Sequence, residues 1–146
     1  MTKMIFINLP VADVAASTAF YEAIGCVKDE TICKGPEAAM MVWSEAISFM
    51  ILDKAHYRLF TAKDIIDAHT SSGVLLALSR DNRADVDAIT EAAIAAGGRE
   101  PRPAQDMGFM YGRAFEDLDG HTFEPMWMDM DAAVAAMNAP REPVTA

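Results

Sequence analysis

The sequence predicts an α+β protein of two βαβββ modules whose strands form curved mixed sheets, assembled as a homodimer. Three observations carry this. A strand, a helix and then three strands can be read twice across the 146 residues. Asp13-Val14 and Gly25 recur as Asp85-Val86 and Gly97, 72 residues later. Helices would cover only one face of each sheet, so the other face needs cover from curling, the sister module or a second chain.

Residues 3–11 (KMIFINLPV) are apolar on both faces, as in a strand covered on both sides. Asp13 opens a helix with the stripe Val14, Ser17, Phe20, Tyr21 and Ile24, and Gly25 closes it. Residues 26–34 read as a strand broken by Gly35-Pro36. Residues 39–44 (AMMVWS) and 47–52 (ISFMIL) read as two more around Glu45-Ala46. Residues 54–72 are polar, carry His56 and His69, and read as a linker with one or two short helices. Tyr57 and Phe60 there are lid candidates, because loops carry function.

Residues 73–79 (GVLLALS) form a buried strand. Residues 83–96 form a helix with Val86, Ile89, Ala93 and Ile94 on one side, ended by Gly97-Gly98. Residues 99–104 hold two prolines and read as an edge strand or an irregular one. Residues 129–137 read as a terminal helix, and the tail from 138 as mobile. The expected division is a first module at 1–53, a linker at 54–72, a second module at 73–128, and a helix and tail at 129–146.

Between these lies residues 109–128, FMYGRAFEDLDGHTFEPMWM, a β-hairpin about the turn Asp117-Leu118-Asp119-Gly120. Asp caps its own backbone at a turn, and Gly accepts the positive φ of a bulge. With Gly120 as the bulge residue, Asp117 faces His121 and Ala114 faces Glu124. Gly112, Met110, Met126 and Met128 then share that face. A two-residue loop would instead put Arg113 opposite Glu124 as a charge partner. Asp-x-Asp-Gly favours the bulge, and one residue of slip exchanges the faces.

Composition excludes several classes. A net charge of −10 argues against a nucleic-acid backbone as partner. No apolar run approaches the roughly 18 residues of a membrane span. No basic segment followed by an apolar one marks a secretory signal. Cys26 and Cys33 lack metal-ligand spacing and read as free thiols of a cytoplasmic protein. No Ser-His-Asp, Cys-His, phosphate-loop or zinc-finger pattern occurs. Eleven methionines suit adaptable binding walls or ordinary core filling.

Three stretches carry a resemblance: LPVADVAASTAFYEAIG (9–25), DVDAITEAAIAAGG (85–98) and FEDLDGHTFEPMW (115–127). Together they resemble the vicinal oxygen chelate superfamily, which contains glyoxalase I, fosfomycin-resistance proteins, bleomycin-binding proteins and extradiol dioxygenases. The resemblance covers nearly the whole chain and implies the fold more than the chemistry. In metal-using members, His, Gln and Glu at the concave ends of the first and last strands hold the ion. Mapped here, those places fall on Phe6, about Met50, Val74 and Glu124. Only Glu124 can bind a metal, so neither a metal nor another cofactor is expected.

What remains is an apolar cup lined by Phe6, Asn8, Met50, Val74, Met110 and Met126, with Glu124 as its acid. With no cation assured beside it, burial would raise the pKa of Glu124, making it a candidate base or ligand anchor. The plainer alternative is a leftover acid satisfied by water or backbone donors. His121 reads as a turn residue, and Trp43, Tyr111 and Trp127 as core or cup. The expected activity is metal-independent small-molecule binding, with Glu124 as the catalytic base of a glyoxalase-type lyase or isomerase as the alternative.

Overall fold

The structure is a computed structural model and describes residues 1–140. The first unit runs β1 (Ile5–Val11), α1 (Val14–Ala23), β2 (Val27–Lys28), β3 (Ala38–Val42) and β4 (Ile47–Asp53). A short helix, α2 (Lys54–Tyr57), opens the linker. The second unit runs β5 (Leu75–Ser79), α3 (Arg83–Ala95), β6 (Gln105–Asp106), β7 (Met110–Gly112), β8 (Phe115–Glu116) and β9 (Thr122–Met128). Helix α4 (Met130–Asn138) follows. The end of the tail expected to be mobile lies outside the described residues.

Each unit makes one mixed sheet. The first has the order β1-β4-β3-β2, and the second β5-β9-β7-β6, with β8 also on β9. In both, the first strand runs parallel to the last, and the remaining pairs are antiparallel. The 72-residue repeat holds where the helices end, at Gly25 (φ 111°) and Gly97 (φ 103°). It fails where they start. Asp13 caps α1, while Asn82 caps α3, so α3 has 13 residues against 10.

One expected strand is shorter, and the span read as an edge strand or irregular is irregular. The span 26–34 keeps only Val27–Lys28 as strand. Beyond it, Asp29 Oδ1 accepts from the backbone of Thr31 and Ile32 and the Thr31 hydroxyl, a local turn that competes with the ladder. The span 99–104 contributes only a single bridge from Arg99 to Glu116, and the edge strand begins after it, at Gln105. Pro101 and Pro103 have no N–H to donate to a ladder.

Both sheets turn the same kind of face inward. Helix α1 packs on β3 and β4, α3 on β7 to β9, and the helices touch. Phe20 and Tyr21 of α1 meet Phe49, Phe115 and Phe123 in one buried aromatic cluster. Phe115 and Phe123 are cross-strand partners with stacked rings 5.2 Å apart. Truncating such a ring to Ala costs about 3–5 kcal/mol, so this cluster is what joins the two units. Tyr111 and Trp127 belong to the helix side as well. Arg83 of α3 lies over both rings, and the Tyr111 hydroxyl donates to Asp87.

The hairpin takes the bulge register. Gly112 is opposite Met126, Phe115 is opposite Phe123, and the Asp117 N–H donates to the His121 carbonyl. Ala114 therefore faces Glu124. Gly120 has φ 90°, and a Cβ there would lie 2.6 Å from the backbone of Ala68 and His69. Only glycine lets the linker press this closely on the turn.

The turn also clamps the first unit. Asp119 accepts from the Ala12 N–H and Asp117 from the Tyr21 hydroxyl, while His121 Nε2 donates to the Pro10 carbonyl.

Candidate functional site

The alternation of the strands fixes which side chains leave the shared core. On β1 and β4, Asn8 is beside Met50 and Phe6 beside Ser48, on the face away from α1. On β5 and β9, Ala77 is beside Glu124, Leu75 beside Thr122 and Ser79 beside Met126. Val74 precedes β5, so the first-strand position facing Glu124 is Ala77. The mapping to Val74 is off because the apolar run 73–79 gives no sign of which residue begins the ladder.

Glu124 sits in a shallow depression of about 120 Å³ lined by Ala77, Arg102, Met110, Gly112, Arg113 and Met126, among others. Its carboxylate is a quarter exposed, and its Oε2 accepts from Arg102 Nη2. This corrects the expectation of an acid with no assured counter-charge. Desolvation here acts on an ion pair, which loses less than a lone charge. Arg102 comes from the Pro101-Arg102-Pro103 segment, expected as an edge strand or irregular, where no strand alternation says which way its side chain points. The flanking prolines were the available signal. Arg102 Nη1 is buried and has no partner among the described residues.

Arg113, the alternative partner for Glu124, points the other way. Its guanidinium takes Asp87 and Glu91 of α3 together with Glu100, at 3.0, 2.7 and 2.8 Å. The Glu100 hydrogen bond leads the causes that hold this guanidinium protonated beyond its already high range. Arg113 thus fastens α3 to its sheet, and although the residue borders the depression, its guanidinium is committed to these three acids and makes no pair with Glu124.

A second, larger cavity of about 280 Å³ lies under the linker. Asn8, Pro10, Tyr57, Ile66, Val74 and His121 are among its walls. The expected pocket residues therefore divide. Met110, Met126 and Glu124 line one hollow, Asn8 and Val74 another, and the two share no lining residue. Phe6 and Met50 lie on the open face of the first sheet. Of the two lid candidates, Tyr57 lines the linker cavity, while Phe60 is exposed and rests edge-on against His56.

The donor chemistry does not suit a divalent ion. Around Glu124 the open face offers Ala77, Ala114 and Met126, and the acid is engaged by a guanidinium. No group of three His, Cys, Asp or Glu side chains able to hold a metal occurs among the described residues.

A family model, the Glyoxalase/Bleomycin resistance protein/Dioxygenase superfamily, matches residues 3–124. The chain belongs to this superfamily. Solved structures agree at the level of fold. A hypothetical protein from S. aureus superposes with a TM-score of 0.73 at 21% identity, covering 87% of this chain and 95% of its own. A glyoxalase/bleomycin resistance protein/dioxygenase family enzyme from Burkholderia phytofirmans PsJN gives 0.70 at 20%, covering 87% and 99%. A genomically encoded fosfomycin resistance protein from Listeria monocytogenes gives 0.63 at 19%, covering 90% and 97%. No curated protein matches. No described helix of this superfamily member is long and apolar enough to cross a membrane.

Proposed function

We propose that this superfamily member binds a small molecule without a metal, on the open face of its second sheet. The observation that carries the reading is the Arg102–Glu124 pair in apolar surroundings. The acid that could have been a metal ligand is already neutralised. The partly exposed Arg102 side chain offers positive charge to a carbonyl or carboxylate on the ligand, while Met110 and Met126 offer adaptable apolar contact. The likeness to fosfomycin- and bleomycin-resistance proteins supports a binding role.

The site is shallow in one protomer, and Phe6 and Leu75 on the open faces are 46% and 56% exposed. A second copy covering these faces would deepen it. Light scattering should give a mass near twice 15.9 kDa.

The test is calorimetric titration of chelator-treated protein with a panel of small carboxylates and amides. Binding without added metal, lost in Arg102→Met, supports the reading. Binding that requires a divalent ion overturns it.

One observation favours the catalytic alternative. Glu124 Oε1 has no protein partner among the described residues, so one oxygen stays open to take a proton. Turnover of methylglyoxal–glutathione hemithioacetal, abolished in Glu124→Gln, would favour a glyoxalase-type lyase or isomerase.

A further inference from the structure

Arg102 and Glu124 border the depression of the second sheet and, of the cavities described, no other. Oε2 of the acid takes Arg102 Nη2, and Oε1 has no partner among the described residues. Among those residues, the buried side-chain nitrogens and oxygens without partners are Arg80 Nε and Arg102 Nη1 alone. Glu124 Oε1 and Arg102 Nε are therefore both unpartnered and both within reach of solvent. A carboxylate oxygen can only accept a hydrogen bond, and a guanidinium nitrogen can only donate one. The bond between Nη2 and Oε2 holds the two groups side by side, with Met110 and Met126 as apolar neighbours.

A guanidinium and a carboxylate in contact sum to no net charge. A ligand carboxylate placed on Arg102 meets repulsion from Glu124 comparable with the attraction, and a ligand cation on Glu124 meets Arg102 in the same way. Either ion still gives up hydration on entering. A neutral ligand escapes both costs. To leave neither protein group unmatched it needs an acceptor and a donor on one edge, because an unpaired polar group costs affinity. A primary amide or a lactam has that edge, its C=O and N–H lying in one plane and on the same side. A trans secondary amide points them in opposite directions.

We infer that the depression selects a neutral primary amide or lactam, whose carbonyl accepts from Arg102 and whose N–H donates to Glu124 Oε1. This rests on the open-face reading and names the ligand class of that site.

The experiment titrates the chelator-treated full chain by calorimetry with four probes of closely matched shape: benzamide, benzoate, benzamidine and acetophenone. They present, in turn, a neutral amide, a negative charge, a positive charge, and a carbonyl with no N–H. Benzamide should bind at least about tenfold tighter than each of the others, the value of one hydrogen bond to a charged group. Glu124→Gln removes the negative partner and should narrow the gap between benzoate and benzamide. Ala77 is exposed and lies beside Glu124 on the neighbouring strand. Ala77→Leu, with the ion pair intact, should cover the pair without entering the core and weaken benzamide about tenfold or more. Benzoate, benzamidine or acetophenone binding the parent as tightly as benzamide would overturn the inference. So would an unchanged gap in Glu124→Gln, benzamide affinity unmoved by Ala77→Leu, or no benzamide binding at millimolar concentration. Any of these leaves the open-face reading standing where another small carboxylate or amide binds without metal and is lost in Arg102→Met. Benzamide binding only with an added divalent ion overturns both.

Discussion

Tyr21 and Asp117 meet 2.6 Å apart, hydroxyl to carboxylate, in the buried seam between helix α1 and the hairpin turn. The pair spans 96 positions of sequence and ties the two units together. The other Asp117 oxygen takes the N–H groups of Asp119 and His121, which shape the turn. One carboxylate thus organises both the local bend and the long-range contact. The Tyr21 hydroxyl is correspondingly reluctant to ionise, first through burial and then through the neighbouring Asp117 charge.

Removing the hydroxyl tests that seam. Tyr21→Phe keeps the ring in the aromatic cluster but leaves Asp117 Oδ2 without its donor. The expected loss is about 1–3 kcal/mol, the cost of an unsatisfied buried acceptor. Urea unfolding should show a lower midpoint with an unchanged slope. A midpoint equal to that of the parent would mean that water replaces the hydroxyl and that the seam is not sealed.

The pH dependence of stability has two opposed parts. Burial pushes the Asp117 carboxyl up, opposed by His121 and by its hydrogen-bond donors. The native state then keeps a proton that the unfolded chain has lost. The Asp117 contribution is full below about pH 4, the ordinary acid range, and is lost as pH rises through the raised value. Asp106 behaves oppositely. Its hydrogen bond from Arg83, with the Gly108 N–H, holds it at about 2. That contribution is present above about pH 4 and lost as pH falls toward the lowered value. Melting temperatures between about pH 3 and 7 should show Asp117→Asn gaining on the parent as pH rises. They should show Asp106→Asn falling less steeply at the acid end. Parallel curves for all three proteins would contradict both assignments.

The two thiols should differ in reactivity. Cys26 is buried against the end of α1, and desolvation pushes its thiol up to about 12. Cys33 is half-buried; burial raises it first, then the charges of Asp29 and Glu37. An aromatic disulfide reagent near pH 8 should label Cys33 alone in the native protein, and Cys26 only after unfolding. Two thiols reacting at one rate would show that the segment after Gly25 opens far more readily than its packing implies.

Much of the architecture was legible because it rests on local chemistry. Asp13, Gly25 and Gly97 mark helix ends by their own backbone preferences, and Asp-x-Asp-Gly specified the turn and hence the register opposite Glu124. What sequence alone withheld was nonlocal. The Tyr21–Asp117 bond and the Asp119 contact with Ala12 join positions about a hundred residues apart, and periodicity carries no trace of them. Arg102 was hidden for a related reason. Its backbone belongs to a proline-flanked stretch outside the ladder, so no strand alternation says which side it faces. Val74 was misplaced because one residue of strand-start error exchanges faces.

The proposed metal-free function rests on Glu124 being engaged by Arg102 and not by an ion. Titrating chelator-treated protein with Mn²⁺, Ni²⁺ and Zn²⁺ by calorimetry, in parent and Glu124→Gln, measures this directly. The account predicts no saturable one-to-one binding and no difference between the two proteins. One ion bound per chain, lost in Glu124→Gln, would contradict it.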